Sequence, residues 1–109
     1  MALHHLQSGE IANLMNQGGD ALSTQSVALF KSEQLELIRL RLPLGKSMPM
    51  HQVAGEITVQ CLEGVFDLET PEGVQQLQAG QLVFLRGGVP HALLAVEDAS
   101  VLVTIVLPH

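Results

Sequence analysis

The chain contains no Trp, no Tyr and only three Phe. A hydrophobic core must therefore be assembled from Leu, Val, Ile and Met. Charge is also scarce, since Asp, Glu, Lys and Arg together make up 15% of the residues, against about a quarter in ordinary globular domains. Positive charge is the scarcer sign: five Lys and Arg face eleven Asp and Glu, for a formal net charge of −6. That balance argues against nucleic acid, which requires a basic face to neutralise phosphates. It argues equally against an anionic membrane surface. A single cysteine, Cys61, excludes an internal disulfide framework. It lies in an apolar run and reads as a small buried hydrophobe, with a reactive thiol as the sharper alternative. No basic start followed by an apolar run marks a leader peptide. No apolar stretch reaches the roughly 18 residues needed to cross a bilayer. A soluble cytoplasmic protein is expected.

With 109 residues the chain fits one domain, spanning 1–109. So few charges on so small a domain leave apolar surface for a partner, and a homodimer is expected. Residues 1–23 read as an irregular N-terminal arm. Ser8 would cap a short helix carrying Ile11, Leu14 and Met15 on one face, and Asn16-Gln17-Gly18-Gly19-Asp20 would break it. His4 and His5 read as solvated terminal residues.

From Thr24 onward short β-prone runs dominate. Val27 to Lys31 is one, and Leu35 to Leu42 the next. In the latter, Leu35 and Leu37 share one parity while Ile38, Leu40 and Leu42 share the other, which predicts a β-bulge between Leu37 and Ile38. Strands are expected over Ile57 to Leu62 and Val65 to Thr70, the second joined by a Thr70-Pro71-Glu72-Gly73 turn to Val74 to Leu77. Leu82 to Leu85, His91 to Val96 and Val101 to Leu107 complete the set. The last run is apolar on nearly both faces, so it is either central in a sheet or covered by a partner. Many short strands with Gly- and Pro-rich turns indicate an all-β sandwich or barrel.

Two segments carry a more specific pattern. One begins at Gly45, reaches His51 after five residues and closes at Gly64. The other begins at Gly80, reaches Arg86 after five residues and continues through Gly88 to His91. Together they resemble the two motifs of the cupin superfamily: Gly, five residues, His-x-His, three or four residues, Glu, six residues, Gly; and Gly, five residues, Pro-x-Gly, two residues, His, three residues, Asn. The match is partial. The second motif-one His is Val53 and the Glu position falls on Ile57; in motif two, Pro becomes Arg86 and Asn becomes Ala95. The resemblance spans Gly45 to Ala95 and implies a double-stranded β-helix, a small jelly-roll barrel of the RmlC-like cupin type.

In metal-binding cupins, two His and a Glu from motif one and the His of motif two hold a divalent ion. Of these only His51 and His91 are present here, and a catalytic metal ordinarily takes three protein ligands. The cofactor expectation is therefore none, or one divalent transition metal (Fe, Mn, Ni or Zn). Glu56 would complete a two-His, one-carboxylate set. In a regular strand it faces away from positions 51, 53 and 57, and a bulge at Ala54-Gly55 would be needed to bring it round. The alternative is that both histidines line an apolar pocket and bond to each other, to Gln60 or to water. Arg86 at the barrel lip would fix a carboxylate or phosphate, or else pair at an interface or with solvent. Met48 and Met50, flanking the approach to His51, would form a soft apolar wall or pack as ordinary core.

Three functions compete. The first is a barrel that binds a small organic molecule at His51, His91, Met48, Met50, Gln60 and Arg86. The second is a metal-dependent dioxygenase or isomerase using His51, His91 and Glu56. The third is a ligand-sensing or interaction domain acting through dimerisation. Metal-free acid–base work by the histidine pair also remains open.

Overall fold

The computed structural model describes residues 5–15 and 26–108. The described residues form nine strands and no helix: β1 Val27–Lys31, β2 Leu35–Leu42, β3 Ser47–His51, β4 Ile57–Glu63, β5 Val65–Thr70, β6 Gly73–Gln78, β7 Leu82–Leu85, β8 His91–Ala95 and β9 Ala99–Val106. No helix among them is long and apolar enough to cross a membrane.

The strands build two antiparallel sheets, one ordered β1-β2-β9-β4-β7 and the other β3-β8-β5-β6. They face each other as a jelly roll, and each contributes one side of the core. Ile57, Val59 and Cys61 of β4 point inward, as do Val101 and Val103 of β9 and Phe66 and Leu68 of β5. Period-two alternation gives each strand one such face. Phe66 is wholly buried and is the largest side chain in the core, as expected in a chain so poor in aromatics. Burying a side chain of this class stabilises by about 1.5–3 kcal/mol. β9 is central: it pairs with β2 along its whole length and with β4 on the other side, and its outer positions Ser100 and Leu102 are buried as well as its inner ones.

Three expectations require correction. The bulge near Leu37 and Ile38 lies on the partner strand, not on β2. β2 pairs with β9 in unbroken register, and the shift falls between Ala28 and Phe30 of β1, directly opposite Ile38 and Leu37. The parity change in β2 has another cause: its inner face holds Ile38, Leu40 and Leu42, while Leu35 and Leu37 share the outer face with Arg39 and Arg41.

The helix expected after Ser8 does not form. A turn at Ser8-Gly9 takes its place, closed by the Glu10 N–H donating to the Gln7 carbonyl at 2.9 Å. The Leu6 N–H donates to the Leu29 carbonyl at 2.8 Å, so this segment lies along β1. Ile11 is 93% exposed; the helical spacing has no surface to pack against, and a helix of that length is not stable without one. The breaker at residues 16–20 and Thr24 lie outside the described residues, as does His4.

The third correction is β3, which the sequence reading passed over. Ser-Met-Pro-Met-His lacks β-branched residues and contains Pro49. Proline is tolerated because β3 is the outermost strand of its sheet, where a missing N–H costs no ladder bond.

The turns behave as composition suggested. Gly73 closes the β5–β6 turn, and the Glu72 N–H donates to the Thr70 hydroxyl oxygen at 3.2 Å. Between β4 and β5, Gly64 has φ of 77°, and a Cβ there would run into the Asp98 carbonyl. Only glycine satisfies both conditions.

Candidate functional site

The last residue of β3 and the first of β8 face each other in register: they are His51 and His91. The β3–β8 register slips between Met48, paired with Leu93, and His51. Pro49 and Met50 thus oppose Ala92 alone, a bulge of the kind that re-aims side chains. Its effect is that Met48 and His51, three positions apart, both turn inward and line the same cavity. Met50 points the other way and is exposed.

The two imidazole rings lie 4.4 Å apart between centroids, tilted by 56°. His91 is only 5% exposed, whereas His51 opens to solvent. Each ring is held by the backbone two residues before it. His51 Nδ1 lies 3.1 Å from the Pro49 carbonyl oxygen, and His91 Nδ1 lies 3.0 Å from that of Val89. A carbonyl only accepts, so each Nδ1 must carry the proton and donate. In its neutral form each ring therefore keeps its lone pair on Nε2. Fixing the other nitrogen in this way is how proteins orient an imidazole for a ligand.

The Val89 carbonyl is itself fixed by contacts between the two motif loops. The Gly88 N–H donates to the Val53 carbonyl at 2.8 Å, and the Val89 N–H closes on the Arg86 carbonyl at 3.3 Å. A Cβ on Gly87 would strike the Ala54 carbonyl. Motif one thus sets the position of the motif-two loop, and that loop sets the tautomer of His91.

The cavity in front of the pair has a volume of about 70 Å³. Val53, Ile57, Leu40 and Val103 contribute its apolar walls. Val53 and Ile57, which stand at the lost ligand positions of the cupin pattern, sit against the two histidines and supply only hydrocarbon.

The remaining candidates are elsewhere. Gln60 is on the outer face of its sheet, because Ile57, Val59 and Cys61 take the inner positions of β4; it cannot reach the histidines. Glu56 is exposed and lies outside the cavity lining. The parity reset it needed is missing: Gly55 is pressed against the Val106 carbonyl, and the Glu56 carbonyl accepts from the Val106 N–H at 2.9 Å. Arg86 is exposed and borders a separate surface cleft with Pro71, Glu72 and Phe84. Of the pocket residues expected from sequence, the structure brings together His51, His91 and Met48.

Among the described residues no three His, Cys, Asp or Glu side chains converge. The residues present therefore do not fit a divalent ion held by three such ligands, and no chemistry is routed through one here. Cys61 takes no part: its thiol is buried and donates to the Glu63 and Gly64 carbonyls at 3.4 and 3.3 Å. Burial pushes that thiol above its ordinary range, and the bond to Glu63 only partly offsets the rise.

The sequence reading missed the carbonyls of Pro49 and Val89. The signal was present as a shared arrangement, since a proline lies within two residues before each histidine, in Pro49-Met50-His51 and Val89-Pro90-His91.

Two facing antiparallel sheets with paired histidines at one end define a double-stranded β-helix with a pocket in the barrel mouth. No family model matches the sequence, and no curated protein matches it. Solved structures do. A cupin superfamily protein from Desulfitobacterium hafniense matches with a TM-score of 0.76 at 15% identity, covering 91% of this chain and 99% of that one. An RmlC-like cupin from Desulfovibrio desulfuricans gives 0.70 at 25% identity, covering 97% and 96%. A cupin domain from Bordetella pertussis gives 0.62 at 26% identity, covering 77% and 92%. The fold is the one shared by proteins of the cupin superfamily.

Proposed function

We propose that this cupin is a binding protein whose ligand is small and is gripped by the Nε2 atoms of His51 and His91 at the mouth of the barrel. One observation carries the reading: both Nδ1 atoms are committed to backbone carbonyls, so both free lone pairs belong to the atoms available to a ligand. Such a pair recognises a hydrogen-bond donor or a Lewis acid. The cavity, at about 70 Å³, falls well below the roughly 300–1,000 Å³ of pockets that enclose drug-sized molecules. An organic ligand would place only a hydroxyl- or N–H-bearing head inside and leave the rest outside. The exposure of Glu56 counts against the metal-dependent dioxygenase or isomerase reading.

Titration with small alcohols, phenols and hydroxamic acids, followed through the imidazole resonances, tests the reading. Binders should move the His51 and His91 ring signals and should lose affinity in the His51→Ala, His91→Ala double variant. Retention of every ligand interaction by that variant would remove the pocket assignment.

A second copy of the chain is the proposed partner. Leu35, Val106, Leu82 and Phe84 are exposed apolar side chains on the outer face of the five-stranded sheet. On the same face, Arg39 and Arg41 each bury a guanidinium nitrogen that has no hydrogen-bond partner. Light scattering should give twice the chain mass, and Phe84→Asp should shift it to the monomer.

A further inference from the structure

We propose that the ligand of the histidine cavity is a soft monovalent metal ion, copper(I), held by Nε2 of His51, Nε2 of His91 and the thioether sulfur of Met48. This rests on the reading that the imidazole pair is the gripping element, and it names the ligand class.

The donor set is soft and neutral. Met48 faces inward beside Leu93, and the β3 bulge brings His51 to the same side, so that Met48 lines the same cavity as the histidines. Thioether sulfur with imidazole nitrogen favours copper(I), whereas manganese, magnesium and calcium look for carboxylates and water. The four-ligand pattern of metal-binding cupins is not available, because two of its positions are Val53 and Ile57.

Charge points the same way. No carboxylate lines the cavity; Glu56, the nearest acid in the motif, is exposed beyond it. Nothing in the lining would neutralise a buried cation. The Born cost of burying an ion rises with the square of its charge, so a divalent ion costs roughly four times as much as a monovalent one of equal size. Low coordination is acceptable to a filled d-shell monovalent ion, which two or three donors satisfy. The cavity volume of about 70 Å³ also suits an ion with its ligands better than an enclosed organic molecule.

Two donors arrive pre-oriented. A metal-ligating histidine ordinarily donates its other ring N–H to a carbonyl or carboxylate. Both rings already do so, at 3.1 and 3.0 Å.

The test is an anaerobic titration of the reduced full-length protein with copper(I), in competition with a chromophoric chelator. Silver(I) serves as an air-stable second probe. Wild type should retain about one equivalent; His91→Ala should lose it; Met48→Leu should weaken it by about tenfold or more. X-ray absorption should show nitrogen and sulfur neighbours in the wild type and nitrogen alone in Met48→Leu. Cys61 is the competing soft ligand, so Cys61→Ala must leave retention unchanged. Zinc(II) and manganese(II) should not be retained. Absence of copper(I) retention, retention that survives Met48→Leu unweakened, or retention lost with Cys61→Ala in a folded protein overturns the proposal. If copper(I) fails while small hydrogen-bond donors still move the imidazole signals, the copper assignment falls and the binding reading stands. If neither engages the histidines, both fall.

Discussion

Gly87→Ala isolates the clamp between the two motif loops. No left-handed backbone is recorded at Gly87, so alanine meets no conformational penalty of its own there. The only obstacle is the Ala54 carbonyl, which the new methyl would strike. Both partners are backbone, so a loop must move. Two bonds lie in the path of that movement: Gly88 N–H to Val53 at 2.8 Å and His91 Nδ1 to Val89 at 3.0 Å. At about 1 kcal/mol each, their loss costs roughly 2 kcal/mol. Replacing glycine in the unfolded chain returns about 0.4–1 kcal/mol. The net loss is about 1–1.5 kcal/mol. For a domain near 100 residues this lowers Tm by roughly 4–10 °C. Thermal unfolding measures that shift, and long-range nitrogen–proton NMR of His91 reports whether Nδ1 keeps its proton. A variant with wild-type Tm and an unchanged His91 tautomer would refute the claim that one loop positions the other.

Phe66→Ala should cost about 3–5 kcal/mol in urea unfolding, because the ring is wholly buried and its β-sheet surroundings cannot collapse around the void; a loss below about 1.5 kcal/mol would contradict the packing described. Cys61 has a folded-state pKa above its unfolded value, so the folded state holds the thiol proton longer. Stability should therefore fall as pH rises past the unfolded thiol range near about 8.5, and Cys61→Ala should flatten that alkaline limb of a Tm–pH profile. Val53→His would add a third imidazole to a cavity that already holds two; the variant should acquire measurable zinc(II) binding by calorimetry, and failure would mean that position 53 does not face the pair.

Much of this fold is legible because its central strands obey period two. Ile57, Val59 and Cys61 alternate cleanly, as do Ala99, Val101 and Val103 on the inner face of β9. β3 was not legible, since Met, Pro and His have no strand signature of their own and an edge position excuses the proline. The β1 bulge escaped for a different reason: a bulge belongs to a pair of strands, and the sequence of β2 alone could not say which partner carries the extra residue. At the site, the motif spacing points to His51 and His91, which the strand pairing brings opposite each other. Gln60 lies outside the histidine cavity, because the parity argument that turns Glu56 away from it turns Gln60 away too. Arg86 takes the place of the motif's proline but lies one residue beyond β7, where the chain already leads out over a separate cleft. That Met48 and His51 share a face depends on the Pro49-Met50 bulge and is visible only in the pairing.

β9 stands between β2 and β4, yet it follows the other eight described strands in the chain. During synthesis, the β1–β2 and β4–β7 pairs emerge from the ribosome with nothing to join them. Until Ala99–Val106 has cleared the exit tunnel, the edges of Leu35–Leu42 and Ile57–Glu63 remain open to any neighbouring nascent chain. A stalled or truncated product lacking β9 would therefore present both open edges and be a strong client for holdase chaperones.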